Sequence, residues 1–187
     1  MDKKNFTEFI DPKKVLYLLI AEAMPENEAD YFYSSQDSLY VLNTISAFQQ
    51  AGFSVHNMAE ITDLGVYLTV AVKEPRPGVS MSRELIEKYV PALEAEIAQF
   101  PNLKVMLLMG DVAIKALNLI ARRRTSKACI PTGSTYKIRD QEFFFEGIRV
   151  FPSYLQTGKN FLIEKAKQRM VADDLQRAFD WVKQGGQ

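Results

Sequence analysis

Cysteine and histidine occur once each in this 187-residue chain, as Cys129 and His56. A lone cysteine has no internal disulfide partner, and one thiol with one imidazole is too small a ligand set for a zinc or iron–sulfur centre. The composition therefore points to a reducing, cytoplasmic setting and to a protein without a metal cluster or other cofactor. Net charge is missing too. The 23 acidic residues balance 23 basic ones, so attraction to a polyanion must come from local clustering and not from the overall field. Long apolar runs are also absent. The longest, Val15 to Ala21, is far short of the roughly 20 residues a helix needs to cross a bilayer. The opening MDKKNFTEF has no apolar segment of leader length. Neither membrane insertion nor secretion is expected, and no repeat or low-complexity stretch complicates the reading.

What is present is the balance of an ordinary folding unit, 47% hydrophobic and 25% charged, at a length that suits one domain over 1–187. Four short runs read as buried strands: Val15 to Ala21, Val66 to Val72, Val105 to Met109 and Ile148 to Phe151. Helical spacing separates most of them. Leu39, Leu42, Ile45 and Phe48 follow the first strand, with Asp37 and Ser38 as caps and Gly52 at the stop. Ser82 caps a second helix whose apolar face is Ile86, Tyr89, Val90, Leu93 and Ile97, and Pro91 inside it predicts a kink. A third helix opens at Asp111 straight after Gly110 and runs to about Ala121, and a last one carries Leu175, Ala178, Phe179 and Val182. STYKIRDQEFFFEG, between the third helix and the fourth strand, reads as a hairpin turning at Asp140 and Gln141. The sum is an α/β chain: a three-layer α/β/α fold around a central, mainly parallel four-stranded sheet, plus a small hairpin.

Open parallel sheets bind ligands outside the carboxyl ends of their strands. That rule selects the loops Glu22 to Ser35, Lys73 to Ser82 and Ser153 to Asn160, with Gly110 at the same rim as a place where a ligand can come close. Glu22 closes an unbroken apolar run, either as a working carboxylate or as a solvated strand terminator. Tyr31, Phe32 and Tyr33 follow it, either as a stacking surface or as a lid on the core. Arg122, Arg123 and Arg124, with Lys127 behind them, would clamp a phosphate backbone or neutralise the end of the third helix. The second reading is favoured, because that helix ends away from the ligand rim.

Several segments in order resemble the uracil-DNA glycosylase superfamily, in particular its single-domain branches whose first motif reads GEAPG. AEAMPEN at 21–27 is similar to that motif, and GVYLTVAVKEPRP at 65–77 to the second strand, usually written YITNVVKCRPP. YVPALEAEI at 89–97 and VMLLMGDVAIKAL at 105–117 are similar to the following helix, strand and turn, and VFPSYLQTGK at 150–159 to the final VFPTYHPS. The resemblance implies the family's fold and a hydrolase that cuts the N-glycosidic bond of a damaged or deaminated base in DNA. Such enzymes flip the base out, stack it on a ring and read its edge. Carried over by position, Glu22 directs the attacking water. Pro25, Asn27, Phe32, Tyr33 and Val70 belong to the base pocket, with Phe32 the first choice for the stacking ring. Ser153, Leu155, Gln156, Thr157 and Lys159 form the loop that grips the DNA, single- or double-stranded.

The resemblance breaks at two places. Val70 stands where the family has an asparagine that pairs with uracil, and valine offers no donor or acceptor, which argues for another base. The final motif has no histidine in either register: the position is Leu155 when Pro152, Ser153 and Tyr154 are aligned, and Phe151 when shifted. Loss of one such donor costs about a hundredfold to a thousandfold in rate unless a neighbour such as Gln156, Thr157, Lys159 or Asn160 compensates. Lys159 is equally open as a donor, a phosphate ligand or a solvated cation. The iron–sulfur branch's cysteines are replaced by Glu74 and Tyr89. Two other readings stand beside excision: a non-catalytic member of the fold that binds nucleic acid or a nucleotide, and a scaffold serving a small molecule or a protein.

Overall fold

The computed structural model describes residues 10–78 and 80–186. The opening MDKKNFTEF, where no leader is expected, lies outside the described residues, as does Val79 of the loop before Ser82. Five strands, β1 (Tyr17–Met24), β2 (Val66–Pro75), β3 (Val105–Met109), β4 (Phe143–Phe145) and β5 (Ile148–Ser153), form one sheet in the order β2-β1-β3-β5-β4. All neighbours pair in parallel except β4 and β5. Among the described residues, six α-helices pack around it: α1 (Leu39–Gln50), α2 (Met58–Asp63), α3 (Arg83–Ile97), α4 (Asp111–Thr125), α5 (Thr135–Ile138) and α6 (Lys165–Lys183).

Alternation along the strands divides the core in two. Tyr17, Leu19, Leu68, Val70, Leu107 and Phe151 face α1 and α6, where they meet Val41, Phe48, Leu175 and Phe179. Leu18, Ile20, Met106 and Leu108 face α3 and α4, where they meet Ile86, Leu93, Ala113 and Leu117. All five side chains of β3 are fully buried. Strands covered on both faces read as unbroken apolar runs, which is why they were visible in the sequence. The caps behave as expected: the hydroxyls of Ser38 and Ser82 accept from the backbone N–H groups of Val41 and Leu85, both at 3.2 Å. Leu42, expected on the apolar face of α1, is 47% exposed, because Val41, Ile45 and Phe48 form the buried stripe. Helix α3 continues through Pro91.

The region before β5 departs from expectation. Thr135–Ile138 is helical, not the first arm of a hairpin, and both Thr135 and Ile138 are buried. A hairpin does follow, but it turns at Glu146 and Gly147, whose φ angles of +50° and +82° make the two-residue turn that suits a twisted antiparallel pair. It adds β4 as a fifth strand to a sheet expected to have four.

At the opposite edge, the Tyr33 hydroxyl accepts from the Leu68 N–H at 2.9 Å and donates to the Leu68 carbonyl at 3.2 Å, on the unpaired side of β2. The helix expected to stop near Ala121 runs on to Thr125, so Arg122, Arg123 and Arg124 form its last turn. Arg124 bridges Glu94 and Glu146, both at 2.6 Å, and Arg123 reaches Glu94 at 3.8 Å.

Candidate functional site

Strand β1 is joined to β2 on one side and β3 on the other, so the crevice beyond its carboxyl end is the switch point at which such sheets bind ligands. Glu22 stands there. Continuing the alternation of Leu18 and Ile20, its side chain turns to the α4 side of the sheet, where Oε1 accepts from the Val112 N–H at 3.2 Å in the first turn of α4. The positive end of that helix suits a carboxylate. The other oxygen is ion-paired with Arg76, in the loop beyond β2. Arg76 is placed by an irregularity in the ladder: Ala23 pairs with Val72, but Met24 pairs with Pro75, and the chain turns back to Glu22 immediately afterwards.

Gly110 makes this arrangement possible. It has φ +109° and ψ 170°, a region open essentially to glycine alone, and a Cβ there would sit 2.5 Å from Glu22 Oε1. The space expected to admit a ligand is filled by the Glu22 carboxylate. Glu22 itself is only 7% exposed, held on three sides by β2's loop, the β3–α4 turn and its own strand.

The loop after β5 reaches the same region through α1. The Thr157 side chain hydrogen-bonds the Tyr40 hydroxyl, which in turn donates to the Ala23 carbonyl at 3.0 Å, one residue past Glu22. Burial pushes the Tyr40 phenol up, and the Thr157 bond opposes that rise. Gln156 is 1% exposed, and neither end of its amide has a hydrogen-bond partner among the described residues. Asn43 on α1 holds the loop by donating to the Gly158 carbonyl at 3.2 Å.

Other expected site residues lie apart from Glu22. Val70 is fully buried on the α1 and α6 side, the opposite face of the sheet. Phe32 is 1% exposed and packs against Tyr31, Tyr33 and Tyr40 in the same core, so its ring is occupied by neighbours. Tyr33 serves the edge of β2. Pro25 is buried, while Asn27 is exposed and caps a short turn by accepting from the Ala29 N–H at 3.1 Å. His56 is exposed beside Glu60, its ring nitrogen 3.3 Å from the carboxylate.

Ser153 was expected to face DNA, but it is fully buried and donates to Asp174 Oδ2 at 2.6 Å. Asp174, also fully buried, is paired with Arg139 at 2.8 Å. Burial lifts the Asp174 carboxyl to about 6, against the Ser153 hydrogen bond and the Arg139 and Arg177 charges. A carboxyl raised on folding contributes its stability fully below the unfolded value of about 3.9 and loses it as pH rises through about 6. Thermal melts across that window should therefore show wild-type stability falling with pH relative to Asp174→Asn. Parallel curves for the two proteins would contradict the assignment.

Leu155 and Lys159 line a cleft of about 560 Å³ that begins at Gly110 and extends between the start of α4, α5 and the loop after β5. Among the described residues, no group of three or more His, Cys, Asp or Glu side chains is placed to hold a metal ion, and no helix is long and apolar enough to cross a membrane. No protein-family model matches the chain, and no curated protein matches it significantly.

Sequence reasoning overlooked three participants. Arg76 had a signal, being the lone cation between Glu74 and Ser82. Asp174 also had one: it sits between Val171 and Ala178 on the apolar stripe of α6. Tyr40 had none, because its role depends on where the distant loop lands.

Proposed function

We propose that this chain is a uracil-DNA glycosylase-like protein that hydrolyses the N-glycosidic bond of a damaged or deaminated base in DNA, with Glu22 as its carboxylate. The observation that carries the reading is Glu22 itself: an acid buried at the switch-point crevice, oriented by the N-terminus of α4 and facing Arg76. In this reaction the oxygen of water bonds to C1′ of the sugar as the C1′–N bond breaks. The bonding pair leaves on the base, and the proton of the water passes to Glu22 and then to the base. The same negative charge opposes the positive charge that develops on the sugar. Arg76 releases Glu22 as substrate enters and offers its charge to the departing base or to a phosphate. With Val70 inside the core, the base is read by groups other than the family's asparagine, which favours a base other than uracil.

A second reading is favoured by one feature, the occupation of both Glu22 oxygens by Val112 N–H and Arg76. A carboxylate so engaged suits a non-catalytic member of the fold that binds nucleic acid or a nucleotide. Oligonucleotides carrying uracil, hypoxanthine, xanthine or an alkylated base separate the two readings. The excision reading expects an abasic product from at least one of them, and a rate reduced about a hundredfold in Glu22→Gln, on the scale of other charge-stabilising groups. DNA binding without any abasic product would leave the second reading in its place.

A further inference from the structure

We infer that the cleft between Gly110 and Tyr136 is a nucleotide subsite, taking one base and one phosphate of a single DNA strand beside the nucleotide held at Glu22. The inference rests on the excision reading. Its volume, about 560 Å³, lies within the range of small-ligand sites. It opens at the carboxyl ends of β3 and β5, and Gly110 in its lining abuts the Glu22 carboxylate, so a strand crossing the rim passes both.

Its walls match the parts of a nucleotide. Tyr136 is 71% exposed at the mouth, and no ring partner occupies it among the described residues. An uncovered ring beside a cleft is a stacking platform for any base. Ser134 precedes α5 without making a side-chain capping bond, leaving its hydroxyl for a ligand. Lys159 is exposed and enters no ion pair among the described residues.

Charge sets the size of the ligand. Lys167 also lines the cleft but is tied to Glu164 at 2.9 Å, and Asp111 offsets the remaining cation. With its two cations matched in number by two anions, the lining offers one unpaired cation among the described residues, Lys159, and so one phosphate contact at most. Binding should therefore depend only weakly on salt, with a slope of log affinity against log salt near −0.7, the value for one single-strand phosphate.

The test is anisotropy titration of a labelled single-stranded DNA decamer across a salt series, with Tyr136→Ala, Tyr136→Phe and Lys159→Ala beside the wild type. Tyr136→Ala should weaken binding about tenfold, Tyr136→Phe should retain it, and Lys159→Ala should flatten the salt slope by about 0.7. Titration with a deoxynucleoside monophosphate, read by NMR at the Tyr136 ring, separates a free nucleotide from a strand: shifts with the monophosphate but no binding of the decamer would overturn the strand assignment. Absence of binding in both arms would overturn the subsite. Abasic product together with unaltered affinity in Tyr136→Ala and Lys159→Ala would remove the subsite and leave excision standing. Tyr136-dependent binding without abasic product would keep the subsite and remove excision.

Discussion

Arg139→Ala should cost about 3 to 5 kcal/mol of stability, the range for removing one partner of a buried ion pair. The Arg139 side chain is 10% exposed, and it holds Asp174 at 2.8 Å, Asp173 at 2.7 Å and the Met170 carbonyl at 3.0 Å. Asp174 is fully buried and its remaining hydrogen bonds come from Ser153 and, at 3.5 Å, from Arg177. Without Arg139 the charge on Asp174 is uncompensated in a low-dielectric site. For a chain of 187 residues this loss corresponds to a fall of about 10 °C in Tm. The effect should be largest above pH 6 and shrink in acid, because Asp174 titrates at about 6 and a neutral carboxyl needs no counter-charge. Replacing both partners by apolar residues, as in Arg139→Met with Asp174→Leu, should recover part of the loss. A melt of Arg139→Ala within 2 °C of the wild type at pH 8 would show that the pair is not tying the end of α5 to α6.

Gly110→Ala is the second large effect, expected at about 3 kcal/mol from two sources. The backbone conformation alone costs an alanine about 1 to 3 kcal/mol. The new methyl also meets the Glu22 carboxylate at 2.5 to 3.0 Å, so the acid must move away from Val112 and Arg76. A change of this kind reports on the site as well as the fold. Under the excision reading, Gly110→Ala that is still folded should lose abasic product about as fully as Glu22→Gln does. Chemical denaturation and the oligonucleotide assay measured on the same preparation check both parts. Wild-type stability in Gly110→Ala would mean that the tight approach of Gly110 and Glu22 is relieved at no cost.

The parts of this protein that were legible in its sequence are those with one dominant physical cause. Strands β1, β2 and β3 are covered on both faces, so burial writes itself as runs such as Val105 to Met109. Ser38 and Ser82 announce helices because an unpaired N–H needs an acceptor nearby in the chain. Helix α2 is equally legible. Asn57 accepts from the Glu60 N–H at 2.9 Å and donates to Glu60 Oε1 at 3.0 Å, a reciprocal cap written as NMAE. The hairpin was displaced because Asp140 and Gln141 look more like a turn than Glu146 and Gly147. Only the backbone shows that Glu146 accepts φ +50°.

The candidate site was legible only in its anchor. Glu22 ends an apolar run, and its position at the rim follows from strand order. Its partners come from two separate segments, the loop after β2 and the β3–α4 turn, and no local pattern places Arg76 against it. Period-two alternation held the clue that Val70 and Glu22 face opposite sides. In the register of the ladder Val70 pairs with Ala21, the residue before Glu22, so the two side chains project to different layers. Phe32 is ambiguous for another reason. An aromatic after a loop signals burial and ligand stacking alike, and here its neighbours in the core claim the ring.

The Tyr33 hydroxyl seated on Leu68 has a consequence for how copies of this protein meet. A sheet whose outermost strand bares its amides invites the next molecule to zip alongside. Here a phenol already occupies the rung at Leu68, standing in for a visiting chain, so growth by strand addition is interrupted midway along that border.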